Sequence, residues 1–531
     1  MQRVLFKNGI IYTGAEPQKY VECVAIEGNK IVYAGAMKGL DKINLSIDKT
    51  IDLNGALMLP GLTDNHVHFT AGGFYLGGLN LRPAKSTSEF KSILKAYVAK
   101  KLNGEWITGG DWDHEAWEVK NLPTKEMIDE FTGDNPVFIN RFDGHLALAN
   151  SAALRLAGID SKSTVPKGGE IVIDKFTGEP TGILKDNAMD LVSKLIPDPS
   201  ENEMVIALEQ ALKEAARLGV TMVHDITYKN DLKVYQKFEE KGKLTCRIYC
   251  RLPIADVRKL SALGIERGFG SDFLKIGSLK AFADGSLGSS TAWFFDPYES
   301  DHSTCGLPME IVTNDSLRIW SFEADRAGLQ LSIHAIGDQA NSFVLDLFEE
   351  IVRTNLKRDR RFRIEHAQHL RKQDVKRFKD LAVIASAQPY HLIDDGVWAH
   401  KRIGNERLSS SYRFKEMVDL GVNLCFGSDW TVAPLNPLLG IYAAVTRRTL
   451  DGKNPDGWIP EEKITVEDAV KAYTINNAYA AFMEDKLGTI EVGKYADFTI
   501  LDKNIFTIDP EQIKETTVLY TIVDGKIVYK K

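Results

Sequence analysis

Apolar and polar positions follow two rhythms along the chain. Near both ends, short runs of β-forming residues are broken by Gly and Asn turns. RVLFKNGIIYTG, CVAIEGNKIVYAG and KTIDLNGALML fall within residues 1–57, and GTIEVGKYADFTILDKN and TVLYTIVDGKIVYKK fall within 488–531. Turns of the Asn-Gly and Asp-Gly kind favour tight antiparallel pairing. Neither segment holds a core alone, so 1–57 plus 485–531 are expected to meet as one small β-sandwich domain.

Through 58–484 the pattern changes to strand-like runs alternating with helical stretches. The runs are VFIN (137–140), TMVHD (221–225), RIYCRL (247–252), SLKAF (278–282), LSIHA (331–335), RIEHA (363–367), IASAQP (384–389) and LCFGSD (424–429). ENEMVIALEQALKEAARLG (201–219) carries apolar residues at three- and four-residue spacing and stops at Gly. Sustained alternation predicts an α/β fold with a parallel sheet. Polar residues cluster at the C-terminal ends of the runs, where barrel enzymes place their chemistry, so the expected core is a (β/α)₈ TIM-like barrel. With the His-Val-His segment there are more strand candidates than eight, and the surplus is assigned to insertions near 70–135 and 145–200. The second contains GGEIVIDKFTGEPTGIL, which reads as a hairpin turning at Thr177-Gly178. Insertions at the ligand end of a barrel shape pockets. Trp106, Trp112, Trp117 and Trp293 are therefore aromatic candidates for pocket wall or core.

Composition narrows the function classes. At 531 residues the chain exceeds the usual size of one core, and its formal charge of −7 comes without any Lys/Arg block. Nucleic acid and anionic membrane are not the expected partners. No 18-residue apolar run and no signal-like N-terminus occur, which makes cytoplasmic the default location. The five cysteines (Cys23, Cys246, Cys250, Cys305, Cys425) are too few and too scattered for a disulfide framework. Cys246 and Cys250 lack the second pair a zinc site needs, so buried thiols are expected.

Candidate chemistry lies in six residues: His66, His68, Lys280, His334, His366 and Asp429. His66 and His68 are two apart in a strand, so they face one side. His334 and His366 each end an apolar or mixed run, and Asp429 ends Leu424-Cys425-Phe426-Gly427-Ser428. Singly, each histidine reads as well as a core residue, and Asp429 as a helix cap. Together, imidazoles and a carboxylate suit borderline divalent cations, above all zinc. Lys280 sits inside an apolar strand, where burial lowers an amine's pKa and a neutral amine can take up CO₂ to give an anionic carbamate. The alternative is an ion pair with Asp284, four residues on. Lys275 lies an odd number of residues away and faces the other side of an unbroken strand.

LPGLTDNHVH, LKAFADGSLGSSTA, HAIGDQA, RIEHAQ, FGSD, NPLLGIYAAVTRRT and GTIEVGKYADFTILD, in that order, resemble the amidohydrolase superfamily. More closely they resemble its amidohydrolase-3 branch, which includes N-substituted formamide deformylases. The resemblance spans nearly the whole chain. It implies a barrel with a β-sandwich and a centre of one or two divalent metals, usually zinc. The implied ligands are His66, His68, His334, His366 and Asp429, with Lys280 as the N6-carboxylated bridge; a homodimer is implied as well. Asp429 is the expected catalytic group, taking a proton from the attacking water and giving it to a leaving amine. His145 in DGHLALANS and His224 in MVHD are candidate donors to the substrate oxyanion, each with an equally good structural reading. Asp284 and Asp338 are candidates for substrate or ligand contact, Asp338 reading equally as a helix cap, and Gln368 and Gln388 as pocket amides. The implied reaction is metal-dependent hydrolysis of a C–N bond in an amide, N-acyl or N-formyl amine. The alternatives are deamination or ring opening of a nitrogen heterocycle, against which Lys280 argues, and a non-catalytic regulatory protein.

Overall fold

Eight parallel strands line up in chain order to make the central sheet: β1 (Leu62–Val67), β2 (Val220–Ile226), β3 (Arg247–Pro253), β4 (Leu274–Phe282), β5 (Gln330–Ala335), β6 (Arg363–His366), β7 (Ile384–Ala387) and β8 (Leu424–Phe426). The computed structural model describes residues 1–42, 45–114, 117–141, 146–166 and 169–531, without the side chains of Asp41, Asp186 and Lys229. The chain divides into two compact units, Met1–Thr70 with Ala211–Lys531, and Ala71–Gln210.

In the first unit the sheet nearly closes on itself as a TIM-like barrel. Past the strand ends, Asp429 N–H donates to His66 O at 2.7 Å and His68 N–H donates to Trp430 O at 2.8 Å, tying β8 to β1. The strands are buried along almost their whole length, as parallel strands covered on both faces must be. Outer helices supply the cover: Val344, Leu345, Phe348 and Ile351 of Asp338–Thr354 share one apolar core with Leu331, Ile333 and Ile364 of the strands.

Strand β4 departs from the regular pleat. Its pairing with β3 shifts register between Ile276 and Ser278, where a side chain at Gly277 would run into the Tyr249 ring. The unbroken strand assumed for Lys275 and Lys280 is therefore not the one observed. Position along the strand separates them instead. Lys275, near its start, pairs with Asp272 at 2.9 Å, whereas Lys280 is buried near its end.

Both chain ends enter one eight-stranded sheet, ordered Lys526–Lys530, Val518–Val523, Phe498–Leu501, Leu57–Pro60, Arg3–Tyr12, Tyr20–Glu27 and Lys30–Gly35, with Lys49–Asp52 beside Arg3–Tyr12. Phe6, Val24, Met58, Phe498 and Ile522 fill its core. Buried Arg247, at the start of β3, reaches this sheet through Asp497 at 2.7 Å and Asp524 at 3.2 Å.

The second unit holds a six-stranded sheet that includes Val137–Arg141 and the hairpin Gly169–Ile173/Pro180–Asp186. Trp112 and Trp117 are core residues here, packed with Phe90, Ile128 and Ile139. Trp106 packs beside the cluster around Phe138. Among the described residues, no helix is long and apolar enough to cross a membrane. Cys23, Cys246, Cys250 and Cys425 are buried thiols outside any disulfide, and Cys305 is partly exposed.

Candidate metal centre

The barrel seam sets the site. Gly427 precedes the turn that carries Asp429, and a Cβ there would lie 2.5 Å from His66 N and 2.6 Å from Asp64 Oδ1. Only glycine permits that approach of β8 to β1. Asp64 bridges the seam from below, accepting from His66 N and Ser428 N at 3.0 Å each. Asp429 (φ 59°) and His366 (φ 73°) hold left-handed backbone that non-glycine residues rarely adopt. The strain lies at the two residues whose side chains turn into the site.

Atoms of His66, His366 and Asp429 that can bind metal lie within 4.8 Å of one another. Asp429 Oδ1 is 3.5 Å from His66 Nε2 and 3.4 Å from His68 Nε2. The His334 ring stands 4.4 Å from that of His366, edge to face. Hydrogen bonds on the far nitrogens decide which lone pairs are free. His66 Nδ1 donates to Glu365 Oε2, leaving Nε2. His366 Nδ1 donates to Gln388 Oε1 at 2.7 Å, again leaving Nε2. His334 Nε2 donates to Gly285 O at 2.9 Å, leaving Nδ1. Burial holds His66 neutral, its pKa lowered to about 3. Burial also opposes the Asp429 anion, but the imidazoles of His66, His68, His366 and His391 outweigh it and hold the carboxyl well below its usual range.

Lys280 Nζ is buried without a hydrogen-bond partner among the described residues, 4.5 Å from the Phe282 ring centroid. Burial lowers its pKa to about 7, against the pull of Glu365 and Asp429. The ion pair with Asp284 does not form. Asp284 instead accepts from the backbone N–H groups of Trp293, Ile336 and Gly337 at 2.8–3.0 Å and stands 3.4 Å from His334 Nε2. This donor set fits a divalent cation on its own chemistry. Free lone pairs of His66 and His366 and an ionised carboxylate lie within 4.8 Å of one another, the His334 ring stands beside that of His366, and the buried Lys280 amine is in electrostatic reach of Asp429.

Beneath the site lies a polar platform that the sequence reading passed over. Glu365 accepts from His66 Nδ1, Ser332 Oγ (2.7 Å), Ser386 Oγ (2.6 Å) and Arg363 Nε (2.8 Å), and pairs with Arg251 at 2.8 Å. Burial would raise this carboxyl, but Arg363, Arg251 and His66 hold it well below the usual range. The available signal was an Arg and a Glu two apart in a buried strand, hence on one face.

The remaining candidates fall elsewhere. His224 lies inside the barrel, fully buried, with Nδ1 on Arg363 at 2.9 Å and its ring 5.0 Å from that of Tyr249. Asp338 opens helix Asp338–Thr354 and accepts from Phe295 N at 3.0 Å. Gln368 donates to Asp395 at 2.6 Å, and Gln388 orients His366. Trp293 packs on Phe343. His145 lies outside the described residues. His391 also went unnoticed: its ring lies parallel to that of His366 (12°), with centroids 6.3 Å apart.

A near-closed parallel barrel carrying such a group at its C-terminal rim has the architecture of a metal-dependent hydrolase. Residues 49–529 match the sequence profile of the Amidohydrolase family, and the chain belongs to that family. It is 38% identical to Protein LONG AFTER FAR-RED 3 of Arabidopsis thaliana, over 99% of this chain and 91% of that protein. It is 25% identical to N-substituted formamide deformylase of Arthrobacter pascens, over 100% of this chain and 99% of that protein. Among solved structures, an uncharacterized metal-dependent hydrolase from Pyrococcus horikoshii is similar with a TM-score of 0.81 and 30% identity, over 96% of this chain and 99% of that one.

Proposed function

We propose that the protein hydrolyses the C–N bond of an amide, N-acyl or N-formyl amine. The observation that carries this reading is the buried Lys280 Nζ, without a hydrogen-bond partner among the described residues and in electrostatic reach of Asp429, which groups with His66 and His366. Similarity to a formamide deformylase supports the same bond type. His66, His68, His334, His366 and Asp429 would hold one or two divalent ions, most readily zinc. Neutral Lys280 Nζ would add to CO₂, forming the N–C bond and releasing one proton, so that the resulting carbamate oxygens complete the ligand set.

A divalent ion in such a site lowers the pKa of water and polarises a carbonyl. The chain's own groups do the rest. Glu365 and Gln388 fix the His66 and His366 rings, so their free nitrogens need no reorientation. Asp429, held ionised, takes the proton of the attacking water at a carboxylate oxygen and returns it to the amine nitrogen as the C–N bond breaks. The test is metal analysis followed by a panel of N-formyl and N-acyl amines set against heterocyclic amines. Stoichiometric metal with turnover of acyl amines is the expected result. Turnover of the heterocycles alone would replace this reading with a deaminase.

A further inference from the structure

The proposed hydrolysis places negative charge on the acyl oxygen, and of the two sequence candidates His224 is not free to receive it. His224 is enclosed among the strands with its Nδ1 on Arg363, and His145 is outside the described residues. We propose that His391 makes this contact, donating a hydrogen bond from Nε2 to the acyl oxygen of the substrate. The inference rests on the acyl-amine reading above and names the group that recognises the acyl end.

Three observations carry it. First, His391 lies on the helix Pro389–Asp395, which follows directly from β7 at the C-terminal rim where the other site residues converge. One turn does two jobs: Gln388 fixes His366 by its side chain at 2.7 Å, and its carbonyl accepts from His391 N at 3.1 Å. Second, the His391 ring lies parallel to the His366 ring, 6.3 Å away between centroids. That is wider than direct stacking, and Asp429 is among the anions His391 interacts with. Third, His391 is only partly buried as a residue, yet its Nε2 is shielded from water and has no hydrogen-bond partner among the described residues. A shielded polar nitrogen without a partner is costly unless a ligand satisfies it. His391 is therefore partly exposed as a residue and carries one enclosed ring nitrogen that no described residue satisfies.

The step balances simply. As the water oxygen bonds to the acyl carbon, the carbonyl π pair moves to oxygen, and the Nε2–H of His391 donates to that oxygen without transferring its proton. The pair returns as the C–N bond breaks, with the nitrogen's proton coming from Asp429. Such a donor acts on the turnover step more than on substrate capture.

The test compares zinc-loaded wild type with His391→Phe and His391→Gln. On an acyl amine that wild type turns over, kcat should fall about 10²–10³-fold in His391→Phe with little change in KM. Metal content and melting temperature should stay unchanged, and Gln, which keeps an N–H donor, should recover part of the rate. A second readout needs no turnover: acetate, whose anionic oxygen stands in for the oxyanion, should bind about tenfold more weakly to zinc-loaded His391→Phe than to wild type. Retained kcat in His391→Phe, or rate lost only in proportion to lost zinc, overturns the proposal. If wild type hydrolyses no acyl amine, the functional reading fails by itself. The acetate measurement then still decides His391, since equal affinity, or no binding to either protein, overturns it.

Discussion

His66 and Glu365, 299 residues apart, share a buried hydrogen bond from Nδ1 to Oε2, and that bond fixes which nitrogen of His66 faces Asp429. Glu365→Gln keeps the size but removes the charge. The predicted outcome is a loss of metal affinity of about 10–100-fold, measured by competition with a chromophoric chelator. Arg251 and Arg363 would also lose their common anion while remaining buried, which costs about 3–5 kcal/mol in urea denaturation. Unchanged affinity would mean that the His66 ring is held by packing alone.

Lys280→Ala tests the carbamate. Wild-type protein exposed to ¹³C-bicarbonate should show a carbamate carbon signal by NMR, and the variant should not. The variant should also bind fewer equivalents of metal. Full metal content with retained activity in Lys280→Ala would eliminate the bridge.

The candidate ligand residues stood out in the sequence because histidine, lysine and aspartate are expensive inside apolar strands, so each demanded a reason. The barrel was legible for a related reason: strands covered on both faces leave continuous apolar runs. The platform under the site was not legible. Glu365 is satisfied by Arg251, Ser332, Arg363 and Ser386, which sit on four strands, and no local pattern reports such pairing. His224 illustrates the complementary difficulty. Alternation says that a strand residue points inward, not whether it sits at the rim or deeper between the strands. His391 follows its strand within a short helix, where periodicity is silent.

Asp395 predicts a pH dependence of stability. It is buried, accepts from Gln368 and from Tyr412 Oη at 2.6 Å each, and burial raises its pKa from 3.8 to about 7. Between those values the folded state binds more protons than the unfolded one, so stability falls as pH rises through this window and is level above it. Asp395→Asn removes this titration. The melting temperature of the variant relative to wild type should climb from about pH 4 to about pH 7 and then plateau. A difference independent of pH would show that Asp395 ionises normally.

Gly427→Ala tests whether the seam sets the site. An added methyl would lie 2.5 Å from His66 N, 2.6 Å from Asp64 Oδ1 and 2.7 Å from Asn65 Oδ1, all buried atoms of β1. His66 N is backbone and Asp64 Oδ1 is held by the N–H groups of His66 and Ser428, so β8 must retreat, and Asp429 moves with it. The expected loss is about 1–3 kcal/mol of stability, as for overpacking elsewhere. Metal affinity should fall as well, because Asp429 Oδ1 now lies 3.4–3.5 Å from His66 Nε2 and His68 Nε2 across that seam. Gly77→Ala is the control: an added methyl there meets nothing within 4 Å, and both properties should match wild type. If Gly427→Ala lost stability but bound metal normally, the Asp429 turn would be positioned independently of the strand that leads into it.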